Sequence, residues 1–269
     1  MDDLRRELAP ISSEAWELID AEASRVLKLQ LAARKLVDFD GPGGWTTSSV
    51  NTGRVQALPA GPAEGVTAAL RRVQPLVELH ADFELSRADL DDVARGARDP
   101  DVNPVARAAT NIALAEDRAV FHGWREAGIA GIIERSPHPP LQIPEGYDAY
   151  PGVVAEATRL LRMAGVSGPY AIALGPRCYT GLLQATDRGG YPVLEVIRQL
   201  IDGPMVWAPG VNGAVVMSTN GGDYQLTVGR DFAVGYRDYT ETAVRLYLVE
   251  TMTFRVLNGD AGVWLRYGS

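Results

Sequence analysis

One stretch of this chain cannot build a core of its own, and it limits which folds are possible. Residues 77–85 alternate apolar and polar side chains without a break, which predicts a strand with one buried and one solvated face. Residues 48–58 are rich in Ser, Thr and Val and predict a second, weaker strand. Their apolar content is too low for a core, and an isolated two-stranded ribbon is only marginally stable in water. We therefore expect a long polar ribbon that lies on a neighbouring subunit.

The N-terminal region predicts one amphipathic helix over residues 13–36. Ser12 precedes it, Glu14 lies in the first turn and Lys35 in the last, an order that complements the helix dipole. Apolar side chains recur along it at helical spacing, at Trp16, Ile19, Ala23, Val26, Leu27 and Leu31. Because the helix lies near a terminus, this stripe needs a partner from elsewhere. Two alternatives stay open: the stripe packs on the chain's own core, or it docks a peptide of another chain.

The remaining elements predict a mixed α+β fold. A glycine-rich turn at 41–44 breaks the chain, and residues 132–151 hold five prolines and predict a linker. Further helices are predicted after Ser86 and over 104–127, 151–164, 176–185 and 192–202, and strands over 169–174, 205–208, 214–218, 224–228, 232–236, 244–256 and 263–267. Helices and strands do not alternate regularly, so a doubly wound sheet or a barrel of βα units does not fit. In the helix over 104–127, Glu116 is the one charged member of the buried stripe.

Composition and charge narrow the functional class. The 269 residues are 46% apolar and 22% charged, which is ordinary for a globular protein of one large or two closely packed domains. A net charge of −8 gives no global basic footprint for nucleic acid, and no apolar run approaches the roughly 20 residues that span a bilayer. The first residues show no secretion signal. The single cysteine, Cys178, predicts a structural thiol in a reducing cytosol.

Motifs for catalysis and metal binding are missing from the sequence. The three histidines, His80, His122 and His138, share no motif with one another or with a cysteine. The glycines at 41–44 are not followed by the Lys-Ser/Thr of a phosphate loop, and no G-x-S-x-G or G-x-G-x-x-G motif is present. The sequence therefore predicts no metal, no cofactor and no enzymatic activity.

A series of short segments, in a fixed order along nearly the whole chain, carries a family resemblance. They are Leu8-Ala9-Pro10 with Trp16, Gly41-Pro42-Gly43-Gly44-Trp45, Leu85-Ser86-Arg87-Ala88-Asp89, Glu116-Asp117 with Phe121 and Gly123, Gly128-Ile129-Ala130-Gly131, Gly168-Pro169-Tyr170, Gly190-Tyr191-Pro192, Gly221-Gly222-Asp223, and Val244-Arg245-Leu246-Tyr247 through Glu250-Thr251-Met252-Thr253-Phe254. Each segment is weak by itself, and their joint order is specific. On these residues the chain resembles the encapsulin (linocin-like) shell proteins of nanocompartments.

The resemblance implies the fold of tailed-phage major capsid proteins, within the α+β class. It implies an N-terminal helical arm over 1–44, an extended loop over 45–80, a peripheral domain over 81–133 and 226–269, and an apical domain over 134–225. The polar ribbon then becomes the extended loop and finds its partner in the extended loop of an adjacent subunit.

The same resemblance implies the function. The chain would be a subunit of a closed icosahedral shell in the cytoplasm, with no nucleic-acid or membrane partner. The shell would enclose cargo enzymes, a peroxidase or a ferritin-like protein, each held by a targeting peptide at its C-terminus. Seven residues are implied to bind that peptide: Leu27, Leu31, Arg34 and Asp38 from the helical arm, and Asp231, Phe232 and Val234 from a later strand. Five more are implied to line a pore at the five-fold vertex: Asp187, Arg188, Gly189, Gly190 and Tyr191.

Two alternatives remain. A prophage major capsid protein would share the fold, although the chain is short for one and begins directly with the helix. A secreted antibacterial protein or protease is the other, against which stand the missing export signal and the missing nucleophile motif.

Overall fold

The computed structural model describes residues 3–187 and 189–268, which form seven α-helices and twelve strands. The helices are α1 (Ser13–Gln30), α2 (Arg87–Ala94), α3 (Asn103–Phe121), α4 (Ile132–Arg135), α5 (Tyr150–Met163), α6 (Pro176–Gln184) and α7 (Val193–Ile201). The strands are β1 (Asp38–Asp40), β2 (Ser49–Ala57), β3 (Ala69–Pro75), β4 (Val77–Ser86), β5 (Leu141–Gln142), β6 (Tyr170–Leu174), β7 (Asp202–Trp207), β8 (Ala214–Ser218), β9 (Tyr224–Val228), β10 (Ala233–Tyr239), β11 (Ala243–Val256) and β12 (Gly262–Arg266).

The first sheet is built around β11, a strand of 14 residues. β4 runs antiparallel along one edge of β11, from Ser86 opposite Ala243 to Val77 opposite Met252. β10 and β9 pair one after the other along the opposite edge, and β1 joins β9 in parallel. α3 packs across β4 and β11, and α1 packs on α3, so the helical arm is a second layer over this sheet.

The second sheet has the strand order β5-β12-β8-β6-β7, with α5, α6 and α7 packed against it. Every residue of β6 and β8 is buried, as expected for strands covered on both faces. The last strand, β12, pairs here with β8 and β5. Residues 226–269 were expected to return together to the peripheral domain, and the final strand differs from that expectation. The division into domains otherwise stays a prediction.

The ribbon consists of β2 and β3, which form a two-stranded sheet and pair with no other strand of residues 3–187 and 189–268. Both strands are largely exposed, which agrees with the expectation that this segment has no core of its own. The sequence predicted β2 and β4, and it missed β3, whose Arg71 and Arg72 interrupt any apolar alternation.

Two helices end earlier than the sequence predicted, each for an identifiable reason. α1 stops at Gln30 because the next amides, of Ala32 and Ala33, donate instead to the carboxylate of Asp117 on α3. α3 stops at Phe121 because Gly123 adopts a left-handed conformation with φ 89°. The predicted end points, 36 and 127, were therefore wrong.

The remaining differences are short elements. β1, α4 and β5 were not predicted, and α4 and β5 lie in the segment expected to be a proline-rich linker. The α+β class is confirmed. Among the described residues, no helix combines the length and apolar character needed to cross a membrane.

Candidate functional site

A groove of about 610 Å³ lies between α1 and the β10–β11 edge of the first sheet. Its apolar lining comes from both sides, with Leu27 and Leu31 at the end of α1 facing Val234 and Leu248. Phe232, partly exposed, lies just before β10 and forms one wall. Because Leu27 and Leu31 are each only 7% exposed, the groove floor is also part of the core.

Charged residues mark the ends and rim of this groove. At one end, Arg6 forms a two-point ion pair with Asp20, with nitrogen–oxygen distances of 3.2 and 2.6 Å, and its guanidinium lies 4.0 Å above the ring of Trp16. At the other end lie Arg34 and Lys35. A ligand that fits such a groove is a short, mainly apolar segment with polar groups at its ends.

Arg34 anchors the second end through three carboxylates. It donates from Nε to Glu116 at 2.8 Å, from Nη1 to Asp231 at 2.7 Å, and from Nη2 to Glu250. Glu116 and Glu250 are fully buried, whereas the side chain of Asp231 is 44% exposed. Phe232 stacks on the same guanidinium at 4.5 Å. One arginine therefore joins the helical arm, α3, β11 and the groove wall.

The cluster shifts the proton affinities of its members. Burial lowers the pKa of Arg34, but Glu116, Glu250 and Asp231 outweigh burial and raise it overall. Burial, then repulsion from Glu116, raises the pKa of Glu250 well above its ordinary value, although Arg34 opposes this. The carboxylates therefore stabilise the charged form of Arg34, whereas burial disfavours ionisation of Glu250 and makes that carboxyl group dependent on Arg34.

Asp117, next to Glu116 in α3, fixes the turn that follows α1. Its carboxylate accepts from the backbone N–H of Ala32 at 3.0 Å and of Ala33 at 2.9 Å. Burial raises the pKa of Asp117 to about 7, against the lowering effect of these two amides. The turn aims Arg34 back toward the sheet.

Six of the seven residues predicted for peptide binding meet at this groove: Leu27, Leu31, Arg34, Asp231, Phe232 and Val234. Asp38 does not line it. It lies in β1, beyond the turn, where its carboxylate accepts from the backbone N–H of Gly222 at 2.6 Å. The pairing of β1 with β9 holds Asp38 outside the groove lining, and its part in peptide binding stays a prediction.

Other groove residues were not predicted, namely Arg6, Asp20, Ala23, Ser24, Lys28, Lys35, Ala233 and Leu248. Ala23 was recognised only as part of the apolar stripe. The ion pair of Arg6 with Asp20 spans 14 positions and leaves no periodic signal in the sequence.

The predicted pore loop connects α6 to α7. The carboxylate of Asp187 accepts from the backbone N–H groups of Gly189 and Tyr191, each at 2.8 Å, and Gly190 has a left-handed φ of 82°. Arg188 lies outside the described residues. Since two amides hold the Asp187 carboxylate, it serves first to fold the loop, and its role in a pore stays a prediction.

Cysteine and candidate metal ligands are the residues to consider for a catalytic or metal site beside the groove. Cys178 is buried, its Sγ lies 3.0 Å from the hydroxyl of Tyr267, and burial raises the pKa of its thiol, as expected for a structural cysteine. Within residues 3–187 and 189–268, no group of three or more His, Cys, Asp or Glu side chains is placed to hold a metal ion.

Solved structures share this fold. A virus-like particle from Pyrococcus furiosus matches with a TM-score of 0.65 over 93% of this chain and 98% of that chain, at 16% sequence identity. The capsid of Myoviridae phage XM1 matches with a TM-score of 0.55 over 86% of this chain and 89% of that chain, at 12% identity. These likenesses concern the fold alone, and they confirm the predicted tailed-phage capsid fold.

The sequence identifies the family within that class. The profile of the family described as encapsulating protein for peroxidase matches residues 1–253. The type 1 encapsulin shell protein of Rhodospirillum rubrum is 52% identical over 271 aligned residues, covering 99% of this chain and 97% of that protein. The type 1 encapsulin shell protein of Mycobacterium tuberculosis is 43% identical over 267 residues, covering 99% and 100%. This chain belongs to the encapsulin shell protein family, and the resemblance seen in the sequence is confirmed.

The role of Arg34 can be tested by its removal. In Arg34→Leu, Glu116 and Glu250 keep their buried positions without a counter-charge, so we expect a loss of about 3–5 kcal/mol in the free energy of unfolding. The matched control, Arg25→Leu, removes an exposed pair with Glu22 on the same helix and should cost less than about 1 kcal/mol. Denaturant unfolding followed by circular dichroism measures both, and equal losses would contradict the assigned role.

The raised pKa of Asp117 predicts how the free energy of unfolding depends on pH. Its pKa of about 7 in the folded state lies above the unfolded value, so ionising it costs stability as the pH rises from about 4 to about 7. Below that window the group is protonated in both states, so it gives the stability no dependence on pH. Relative to Asp117→Asn, the wild type should lose up to about 1.4 kcal/mol per pH unit across the window, and the difference should level off above it. Parallel profiles for the two proteins, measured by urea unfolding at several pH values, would refute this.

Proposed function

We propose that this chain is the subunit of a closed icosahedral protein shell in the cytoplasm, and that the shell encloses cargo enzymes. The observation that carries the proposal is the solvent-open apolar groove on a capsid-fold subunit of the encapsulin family. The role is structural, in keeping with relatives that are named shell proteins. The proposed partners are further copies of this chain and a cargo protein, without nucleic acid or membrane.

Assembly is supported by surfaces that a lone subunit leaves exposed. Five large apolar side chains of the ribbon and its tip are 44–60% exposed: Val55, Leu58, Val66, Leu70 and Val73. Apolar surface on this scale marks an interaction site in a soluble protein. Pairing of ribbons between adjacent subunits would bury these side chains and interlock the shell.

Cargo binding is supported by the shape and chemistry of the groove. Leucine and valine side chains offer burial, while Arg34 and the Arg6–Asp20 pair offer charged groups at the two ends. A short apolar peptide at the C-terminus of a cargo enzyme suits this site. One peptide binds weakly in so shallow a groove, but an oligomeric cargo with many such peptides gains by multivalency. We propose a peroxidase or a ferritin-like enzyme as that cargo.

The proposal also includes a pore. The loop with Asp187, Gly189, Gly190 and Tyr191, together with Arg188, would line a pore at the five-fold vertex. A prophage capsid protein would share the fold, since phage capsids match it as well. The family match over residues 1–253 favours the enzyme-enclosing shell.

Assembly can be tested on the purified protein. Because the ribbon exposes its apolar side chains in a single subunit, the purified protein should elute as a particle far larger than one chain of 29.0 kDa. Native gel filtration with negative-stain microscopy measures this. A species of monomer mass under native conditions would contradict the shell proposal.

Cargo binding in the groove can be tested by a substitution that fills it. Leu27 and Leu31 are too deeply buried for a clean test, so the variant of choice is Ser24→Tyr, a partly exposed groove position on α1. The larger side chain should fill the groove and reduce cargo loading by roughly tenfold, because the peptide loses its apolar contacts. The particle itself should form normally.

The matched control is Ala21→Tyr, which places the same side chain on an exposed position of α1 outside the groove lining. Shell and cargo are co-expressed, and the cargo-to-shell ratio of purified particles is read from denaturing gels. Wild-type loading by Ser24→Tyr would show that the peptide binds elsewhere.

A further inference from the structure

A second cleft, of about 580 Å³, opens between the ribbon and the body of the subunit. Four arginines line it: Arg54 and Arg72 from the ribbon, and Arg135 and Arg255 from the body. We call it the arginine cleft. The amide of Gln74 bridges its two sides by donating to the carbonyl oxygen of Gly128 at 3.0 Å. The cleft therefore has a defined base from which the ribbon projects.

The positive charge of this cleft is not neutralised within the subunit. Its lining residues include no carboxylate, and within the described part of the chain none of the four arginines forms an ion pair. Arg72 donates to the neutral side-chain amide of Gln56 at 3.1 Å, and Arg255 donates to that of Gln225. The Nε of Arg255 is buried and has no hydrogen-bond partner among the described residues. Like charges gathered in this way favour an anionic ligand.

Carboxylates of the required kind lie at the opposite end of the same sheet. Residues 87–101, which we call the acidic segment, carry five aspartates and three arginines. Asp91, Asp99 and Asp101 are exposed, and none of them forms an ion pair with a described residue. Arg95 in this segment is already paired with Asp92. The segment therefore presents free negative charge to solvent.

Strand β4 separates the two surfaces. Its ten residues start beside the arginine cleft and end where α2 begins, a span of about 33 Å. A subunit cannot fold its own acidic segment into its own cleft over that distance, whereas the next subunit can supply one. Opposite charges at opposite ends of one strand make a head-to-tail contact, which closes into rings when the rotation between subunits allows it.

We infer that the arginine cleft receives the acidic segment of a second copy of this chain. This inference rests on the proposed function, because it assigns a contact between neighbouring shell subunits. Arginine pairs with carboxylates by two parallel hydrogen bonds, which would fix the orientation of neighbours as well as attract them. Val73, 52% exposed and part of the cleft lining, would add apolar contact. The overall charge of −8 disfavours nucleic acid as the occupant.

Charge reversal on each side and on both sides tests the pairing. Arg54→Glu/Arg72→Glu alone and Asp91→Arg/Asp99→Arg alone should each lower the assembled fraction by roughly tenfold or more, since like charges then meet at the contact. The four substitutions combined should restore assembly, because the pairing is re-formed with reversed sign. The control is Arg25→Glu/Arg159→Glu, which reverses two exposed arginines outside the cleft and should assemble as the wild type does. Mass photometry at about 0.15 M salt measures the assembled fraction.

A neutral double variant guards against misfolding. Arg54→Gln/Arg72→Gln keeps polar side chains and removes the charge, so its assembly should be reduced and should depend less on salt than that of the wild type. Circular dichroism of each variant shows whether the subunit is folded. Loss of assembly in a folded variant, with rescue by the combined reversal, supports the inference.

Other outcomes overturn it. Normal assembly of the glutamate variants, or no rescue by the combined reversal, would show that the acidic segment does not occupy the cleft. Particles that assemble normally but lose bound nucleic acid, measured by the ratio of absorbance at the nucleic-acid and protein maxima, would make the cleft an anion site instead. If the wild type itself forms no large particle, the proposed shell function fails first, which separates the two failures.

Discussion

The ion cluster around Arg34 is the interaction on which the rest of the subunit depends. One guanidinium contacts Glu116 of α3, Glu250 of β11 and Asp231 before β10, and so ties the helical arm to both the long helix and the central strand. Two of the three carboxylates are fully buried, so the cost of their desolvation is met only while all the partners are in place. Apolar contacts alone would hold α1 on α3 without fixing its register. The cluster specifies one position for the arm, and it does so directly beside the groove.

That coupling makes the groove rigid before any ligand arrives. The turn after α1 is held by Asp117, and this turn aims Arg34 into the cluster, where Phe232 stacks on it. Leu27 and Leu31 serve the core and the groove floor at once. A ligand would therefore lose little free energy in ordering the site, which matters for a short peptide with few contacts. It also follows that changes deep in the groove report on stability and binding together.

Local patterns in the sequence predicted the features that depend on neighbouring residues alone. The stripe of α1, the alternation of β4 and the position of Glu116 on a buried face were all visible, since each depends on a period of 3.6 or 2 residues. The partners of Glu116 were not visible, because Arg34 lies 82 positions away and Glu250 sits within a continuous strand. The same limit explains the position of Asp38 in β1 and the early end of α1, because both are set by contacts of the folded chain with distant segments. The six predicted residues that line the groove came from the family resemblance, and the structure brings them together.

Among the residues described, charge is compensated in the interior of the subunit and left uncompensated at the arginine cleft and the acidic segment. Inside the subunit, the buried carboxylates Glu116 and Glu250 are compensated by Arg34, because a buried ion left unpaired there would cost about 3–5 kcal/mol of stability. At the ribbon base, four arginines share a cleft whose lining includes no carboxylate. Beyond the far end of β4, Asp91, Asp99 and Asp101 are exposed and form no ion pair with any described residue. A monomer gains nothing from such a separation, since each surface repels its own charges and the two cannot meet. An assembly of identical subunits gains a contact at every repeat, and for that reason the uncompensated surfaces of the fold are best explained by neighbours of the same kind.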